Sequence, residues 1–341
     1  MEASDPALHE AGLLLGRRGR GLHQGLPPGH APREVPARRG LVNAGRLVGI
    51  DLGGTAIKAG AISATGERLD RLEVQAEVSR GAEALLENLI ECARQLGVTE
   101  SLGLGVPGLV DREAGLVTQS PNLAPLAGFP LRDRLAKGLG LDPARVRIEN
   151  DANVAALGEH WLGGAQGENL AFVITLGTGV GGGLIIDDKL FVGERGLAAE
   201  IGHTIVEPGG PLCGCGNHGC LETLASATAT ARRASELGLG GDLKQLSAEA
   251  RQRPGAARDL LLEVGRDLGR GLAQVAVLLD LRCFLVGGGF GAACDVLKPG
   301  IEEGLLERCY GRTREDLRIR PASLGPDAGW IGAARLVRES D

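Results

Sequence analysis

Twice in this chain an apolar strand runs directly into a turn of glycine and threonine: GIDLGGT at Gly49–Thr55 and ITLGTGVGG at Ile174–Gly182, about 125 residues apart. Glycine puts no Cβ in the way, so backbone amides in such a turn can approach an anion closely. Two similar units so far apart predict two related halves that face one shared ligand. The intervening pattern agrees. Arg46–Asp51 reads as a strand with Ala59–Ala64 as its hairpin partner. Gly81–Leu96 has helical spacing, with Leu85, Leu86, Leu89, Ile90 and Ala93 on one stripe. Leu102–Val106, Arg145–Glu149, Leu170–Leu176, Gly183–Asp187 and Cys283–Val286 read as strands. Ala152–Leu162 and Asp259–Asp280 read as helices. Strands alternating with helices indicate an α/β fold with a mixed or parallel sheet.

A length of 341 residues predicts about two domains. Residues 1–45 stand apart from them. Pro27, Pro28, Pro32 and Pro36, with Arg17, Arg18, Arg20, Arg38 and Arg39, carry no apolar periodicity, and a disordered or loosely ordered extension is expected. Aromatic residues are only 2% and the net charge is −6, so neither stacking platforms nor a basic field for nucleic acid are present. No apolar run approaches about 18 residues, and Ala11–Leu15 is too short for a secretory signal. A cytoplasmic protein with no membrane partner is expected.

The glycine turns carry the first chemistry. GTGVGG at 177–182 satisfies GxGxxG, but a dinucleotide-binding turn must open a helix, and here a second strand follows. A hairpin whose Gly177, Thr178 and Gly179 face phosphate oxygens fits better. In the first turn Gly53 and Gly54 bend the chain and Thr55 can donate to a phosphate. Asp51 at the strand end suits a hydrated Mg²⁺, because a hard cation takes carboxylate and water. Lys58 supplies charge or is solvated. A third run, Gly287, Gly288 and Gly289, follows a buried strand and leaves room for a flat adenosine. Three glycine turns capping strands point to a nucleotide cleft.

Two further clusters stand out. Three of the seven cysteines, Cys213, Cys215 and Cys220, fall within eight residues, and His203 lies upstream. One imidazole and three thiolates form a closed set typical of structural Zn²⁺, with His218 as a rival ligand. Asp151, in the run ENDAN at 149–153, follows a strand and opens a helix. Its carboxylate is either a general base or a helix N-cap, and the residues alone do not separate these readings.

In order, DLGGT at 51–55, ENDAN at 149–153, TLGTGVGGG at 175–183, EIGH at 200–203, CGCGNHGCLE at 213–222 and VGGG at 286–289 resemble the ROK family (repressors, open reading frames and sugar kinases) over about 45–341. The resemblance implies a two-domain actin-like ATPase fold, of the ribonuclease H-like, hexokinase type, with an interdomain cleft. It divides the chain into 46–155 with a C-terminal helix at 326–341, and 156–325 with the zinc loop. It implies ATP and Mg²⁺ as cofactors and a structural Zn²⁺ on His203, Cys213, Cys215 and Cys220. Asp151 becomes the general base, and Asn122, Asn150, Asp151, Glu200, His203 and Glu222 the sugar contacts. Leu197, Ala198 and Ala199 depart slightly from the family pattern before Glu200. The expected reaction is transfer of the ATP γ-phosphoryl group to the 6-hydroxyl of glucose, in a homodimer or homotetramer. Kinases for N-acetylglucosamine, N-acetylmannosamine or fructose, or a polyphosphate-dependent glucose kinase, are the alternatives. A sugar-responsive transcription regulator is the alternative of another class, for which the segment before Leu47 is short and proline-rich.

Overall fold

A computed structural model describes residues 45–120 and 122–338. The expected N-terminal extension, apart from residue 45, and the last three residues of the expected C-terminal helix lie outside that range. The chain builds two five-stranded sheets. The first holds β1 (Arg46–Leu52), β2 (Ala56–Ser63), β3 (Arg68–Gln75), β4 (Leu102–Val106) and, after the small hairpin β5 (Leu109–Asp111) and β6 (Leu116–Gln119), β7 (Val146–Asn150). The second holds β8 (Leu170–Leu176), β9 (Val180–Ile186), β10 (Lys189–Phe191), β11 (Cys283–Gly287) and β12 (Arg318–Pro321).

Both sheets follow one plan. The orders are β3-β2-β1-β4-β7 and β10-β9-β8-β11-β12. In each, three antiparallel strands are followed by two that run parallel to the first. The glycine turn lies between the first two strands in both cases, so the echo in sequence is an echo in topology. The parallel strands are continuous apolar runs, as burial on both faces requires; β4 (LGLGV) and β11 (CFLVG) are buried throughout. β3, by contrast, is an edge strand whose residues are nearly all exposed.

Helices cover these sheets. α1 (Ala82–Gln95) buries Leu85, Leu86 and Leu89, its expected stripe, and α2 (Leu131–Leu139) joins it against the first sheet. α3 (Asp151–Leu162) follows β7 directly. The short α4 (Leu221–Ala225) leads to α5 (Ala227–Glu236) and α6 (Leu243–Gln252), and then to α7 (Ala256–Leu279) and α8 (Cys294–Arg308), which cover the second sheet around Phe172, Ile174, Phe284 and Val286. With so few aromatics, these cores are mainly aliphatic, with Phe172, Phe284 and Phe290 as the exceptions in the second.

α9 (Ala328–Leu336) returns to the first sheet and also crosses α3. Backbone contact makes this packing close. A Cβ at Gly103 would stand 1.8 Å from Ala333 O, and one at Gly49 1.9 Å from Trp330 O. Gly103→Ala therefore overpacks a rigid joint against backbone and destabilises the chain by about 1–3 kcal/mol, near the upper end, because no flexible side chain can yield. The urea midpoint at fixed m-value measures this, and an unchanged midpoint would show that α9 gives way at little cost.

Candidate active site

The β1–β2 turn places Asp51 at a strand end, with Lys58 as its cross-strand neighbour. Gly53 N–H closes the turn on Ala56 O at 2.9 Å. Gly54 faces Asn122, whose Cβ would lie 3.6 Å from a Cβ added there. Asp51 also lies against the start of α9, where a Cβ at Gly329 would be 2.4 Å from Asp51 Oδ2. Burial pushes the Asp51 carboxyl up to about 6 against the pull of Lys58. Lys58 is thus a partner to the acid, which its sequence position did not decide.

The second glycine run is a hairpin: β8 and β9 pair antiparallel from Leu170↔Ile186 to Leu176↔Val180. No helix follows the glycines, which excludes the dinucleotide turn. The tip is tied from several sides. Ala227 N–H donates to Gly177 O at 2.9 Å, Thr228 Oγ1 to Thr178 O at 2.8 Å, and Val180 N–H to Glu222 Oε2 at 2.9 Å. Gly288, with φ +79°, turns the third glycine run against the hairpin, and a Cβ there would meet Leu176 O at 2.4 Å. Beside it lies a cavity of about 320 Å³ bounded by Thr175, Gly287, Gly288, Cys294, Asp295 and Ala328. Gly289 faces open space.

Asp151 is the first residue of α3, but the cap is Asn150. Asn150 Oδ1 accepts from Ala152 N–H at 2.9 Å and Asn153 N–H at 3.2 Å. Asn150 Nδ2 donates to Gly108 O at 3.1 Å, which leaves one amide hydrogen for a ligand. Asp151 Oδ1 accepts only locally, from Ala152 N–H at 2.8 Å. Burial, then the charges of Asp51 and Glu200, push the Asp151 carboxyl up to about 7. Burial likewise raises Glu200, with Glu222 adding repulsion and His203 opposing it. Asp51 of β1, Asp151 of α3 and Glu200 of the loop after β10 thus share one acidic site. A carboxyl that titrates near neutrality can take a proton from an alcohol and return it.

Glu200 immediately precedes the 3₁₀ turn Ile201–His203. His203 turns Nδ1 to Cys213 Sγ at 3.6 Å, and Cys215 Sγ lies 3.7 Å from Cys220 Sγ. The four donor atoms lie within 4.8 Å of one another. A tetrahedral Zn²⁺ with bonds of about 2.3 Å to sulfur needs sulfurs about 3.8 Å apart, so the donor set fits that ion. The backbone N–H of Asn217 lowers the Cys215 thiol to about 7, whereas burial pushes Cys220 up to about 12. His218 is outside the cluster and lies 3.1 Å, by Nδ1, from Gly210 O.

Two links escaped the sequence. Glu222 braces the β8–β9 turn, and the buried Glu149 pairs with Arg112 Nη2 at 2.5 Å. No local spacing announces either, because the partners lie on separate elements. Among the described residues no helix is long and apolar enough to cross a membrane.

The ROK family model matches residues 47–340. A glucokinase of Thermotoga maritima is 35% identical over 312 residues, which cover 86% of this chain and 98% of that one. An N-acetylmannosamine kinase of Escherichia fergusonii is 35% identical over 292 residues, covering 85% and 97%. The crystal structure of a ROK family glucokinase from Streptomyces griseus in complex with glucose and AMPPNP is similar, with TM-score 0.74, 36% identity and coverage of 87% and 100%. A ROK family transcriptional regulator, a homologue of the Escherichia coli MLC protein, shares the fold at TM-score 0.75 and 27% identity, covering 86% of this chain and 77% of that one.

Proposed function

The chain belongs to the ROK family and is a sugar kinase with the two-domain actin-like ATPase fold, and we propose that it transfers the γ-phosphoryl group of ATP to the 6-hydroxyl of glucose. One observation carries the mechanism: Asp151 opens α3 without capping it, and its half-buried carboxyl feels the charges of Asp51 and Glu200. It acts as the general base, taking the hydroxyl proton as the oxygen attacks phosphorus. Phosphoryl transfer otherwise asks for positioning and charge neutralisation. Gly53, Gly54 and Thr55 meet the phosphates from one side, and Gly177, Thr178 and Gly179 from the other. Gly287, Gly288 and Gly289 border the adenosine. Asp51 would hold a hydrated Mg²⁺, which would supply positive charge against the phosphates, with Lys58 alongside.

Asn122, Asn150, Glu200, His203 and Glu222 orient the sugar. Zn²⁺ on His203, Cys213, Cys215 and Cys220 would hold that loop in shape. Held through Nδ1, His203 has Nε2–H left as an oriented donor. Glucose is the sugar proposed because the solved relative that holds both glucose and AMPPNP is matched over 100% of its length. The division at about residue 155, cytoplasmic location and homo-oligomeric assembly belong to the same proposal.

A coupled assay tests it with ATP or polyphosphate against glucose, N-acetylmannosamine, N-acetylglucosamine, mannose and fructose. Glucose with MgATP is expected to give the highest kcat/KM. Preference for N-acetylmannosamine would move the substrate, and no ADP from any sugar would end the kinase reading. The base must be ionised to act. With its carboxyl at about 7, kcat/KM for glucose falls as pH drops through neutrality and levels off above it. A flat profile from pH 5 to 8, at about constant rate, contradicts the base assignment.

A further inference from the structure

The turn that carries Asp151 is held by a buried carboxylate. Glu149 is 4% exposed. Its Oε1 accepts from Asn150 N–H at 2.8 Å and Asn153 Nδ2 at 2.9 Å, one partner on each side of Asp151. Its Oε2 meets Arg112 Nη2 at 2.5 Å, the one Lys or Arg nitrogen within 4.0 Å of it among the described residues. Deleting the cation of such a pair strands a buried anion, which then rearranges or draws in water.

Arg112 follows β5 and is itself fixed, its carbonyl accepting from Arg132 Nη1 of α2 at 3.2 Å. Its other side meets the second half of the molecule. Gly196, with φ +76°, lies in the 192–199 loop that leads from β10 to Glu200. A Cβ at Gly196 would stand 3.6 Å from Val110 O and 3.8 Å from Arg112 Cζ. Arg112 Nε and Nη2 are both buried and make no hydrogen bond among the described residues, so Nη2 meets Glu149 as an ion pair.

We propose that Arg112 is a positioning residue for phosphoryl transfer. Through Glu149 it fixes the turn that presents Asp151, and through the 192–199 loop it couples that turn to the segment carrying Glu200. The inference rests on the kinase reading above. It adds a residue that touches neither substrate but sets the aim of the base. A misaimed base lowers kcat more than it weakens binding, because a displacement of about 1 Å can cost on the order of a hundredfold in rate. A merely structural arginine would lower stability and leave kcat per folded site unchanged.

The test compares Arg112→Met, Arg112→Lys, Glu149→Gln and the Arg112→Met/Glu149→Gln pair, with active sites counted by bound sugar. Arg112→Met is expected to lose about 10- to 100-fold in kcat while KM for glucose and MgATP stays within about threefold. Arg112→Lys keeps the cation and recovers most of the rate. Adding Arg112→Met to Glu149→Gln changes kcat by less than about twofold, because no buried anion remains to be neutralised. Hydrogen exchange over residues 146–156 speeds up in Arg112→Met and not in Arg112→Lys. A kcat for Arg112→Met within about twofold of the parent, or losses that multiply in the double variant, overturns the assignment. The parent is assayed alongside. If it turns over no sugar, the kinase reading fails, and the exchange result alone decides Arg112: faster exchange supports its hold on the turn, unchanged exchange rejects it.

Discussion

Asp151→Asn is expected to lose about 10²–10⁴ in kcat while glucose still binds with near-parental affinity and the protein melts at a higher temperature. The three effects share one cause. The amide has nearly the same shape, so contacts to the sugar survive, but it cannot accept the hydroxyl proton. The helix does not suffer, because Asn150 and not Asp151 is the cap of α3.

The stability gain follows from linkage. Burial and the neighbouring Asp51 and Glu200 raise the Asp151 carboxyl from 3.8 to about 7. The fold therefore favours the protonated acid. That advantage is complete below about pH 4 and is lost as pH rises through about 7. Above pH 7 the charged group opposes folding, and a neutral amide removes the opposition. The gain is about 1–3 kcal/mol, or roughly 2–6 °C in a chain of this size. Steady-state kinetics, calorimetric titration with glucose and a melting curve at pH 8 measure the set. Turnover near the parental value would remove Asp151 from the chemistry. A variant that is inactive, melts lower and no longer binds sugar would mean that Asp151 supports structure instead.

The second large effect is expected at the cysteine cluster. Cys220→Ser should contain far less than one zinc per chain and lose glucose affinity by about tenfold or more, with ATP-analogue affinity little changed. Cys220 immediately precedes α4, which carries Glu222, and Glu222 Oε2 in turn receives Val180 N–H at 2.9 Å. Loosening the loop thus reaches the sugar contacts first and the β8–β9 turn next. Cys309→Ser is the control, since Cys309 is a buried thiol outside the cluster. It should keep both metal and affinity. Elemental analysis with titration calorimetry makes the comparison, and readdition of Zn²⁺ after chelation of the parent should restore affinity. Parental affinity in Cys220→Ser without metal would leave the cluster with no part in sugar binding.

The part of this fold that was legible along the chain has a local origin. Parallel strands buried on both faces are continuous apolar runs, so β4, β8 and β11 could be bounded to within about a residue. Glycine turns at their ends follow from backbone chemistry alone. The four donors of the His–Cys cluster, three of them within eight residues, are also close to a local property. Elements without such signals were not legible. β3 has nearly every side chain in water, and its charged residues follow no burial period. The β5–β6 hairpin and the short α2 contribute too few buried positions to form a pattern.

By itself, then, the sequence determined the strongly patterned elements, the doubled glycine turns and the clustering of the three cysteines, because each depends on neighbours along the chain. Tertiary structure alone decided how those groups act on one another. It made Asn150 rather than Asp151 the cap, set Gly288 against Leu176, braced the β8–β9 turn with Glu222 and gave Glu149 its arginine. The acidity of Asp151 belongs with these. Desolvation and like-charge repulsion depend on distance in space, and they arise only when β1, the start of α3 and the loop after β10 bring separate carboxylates together.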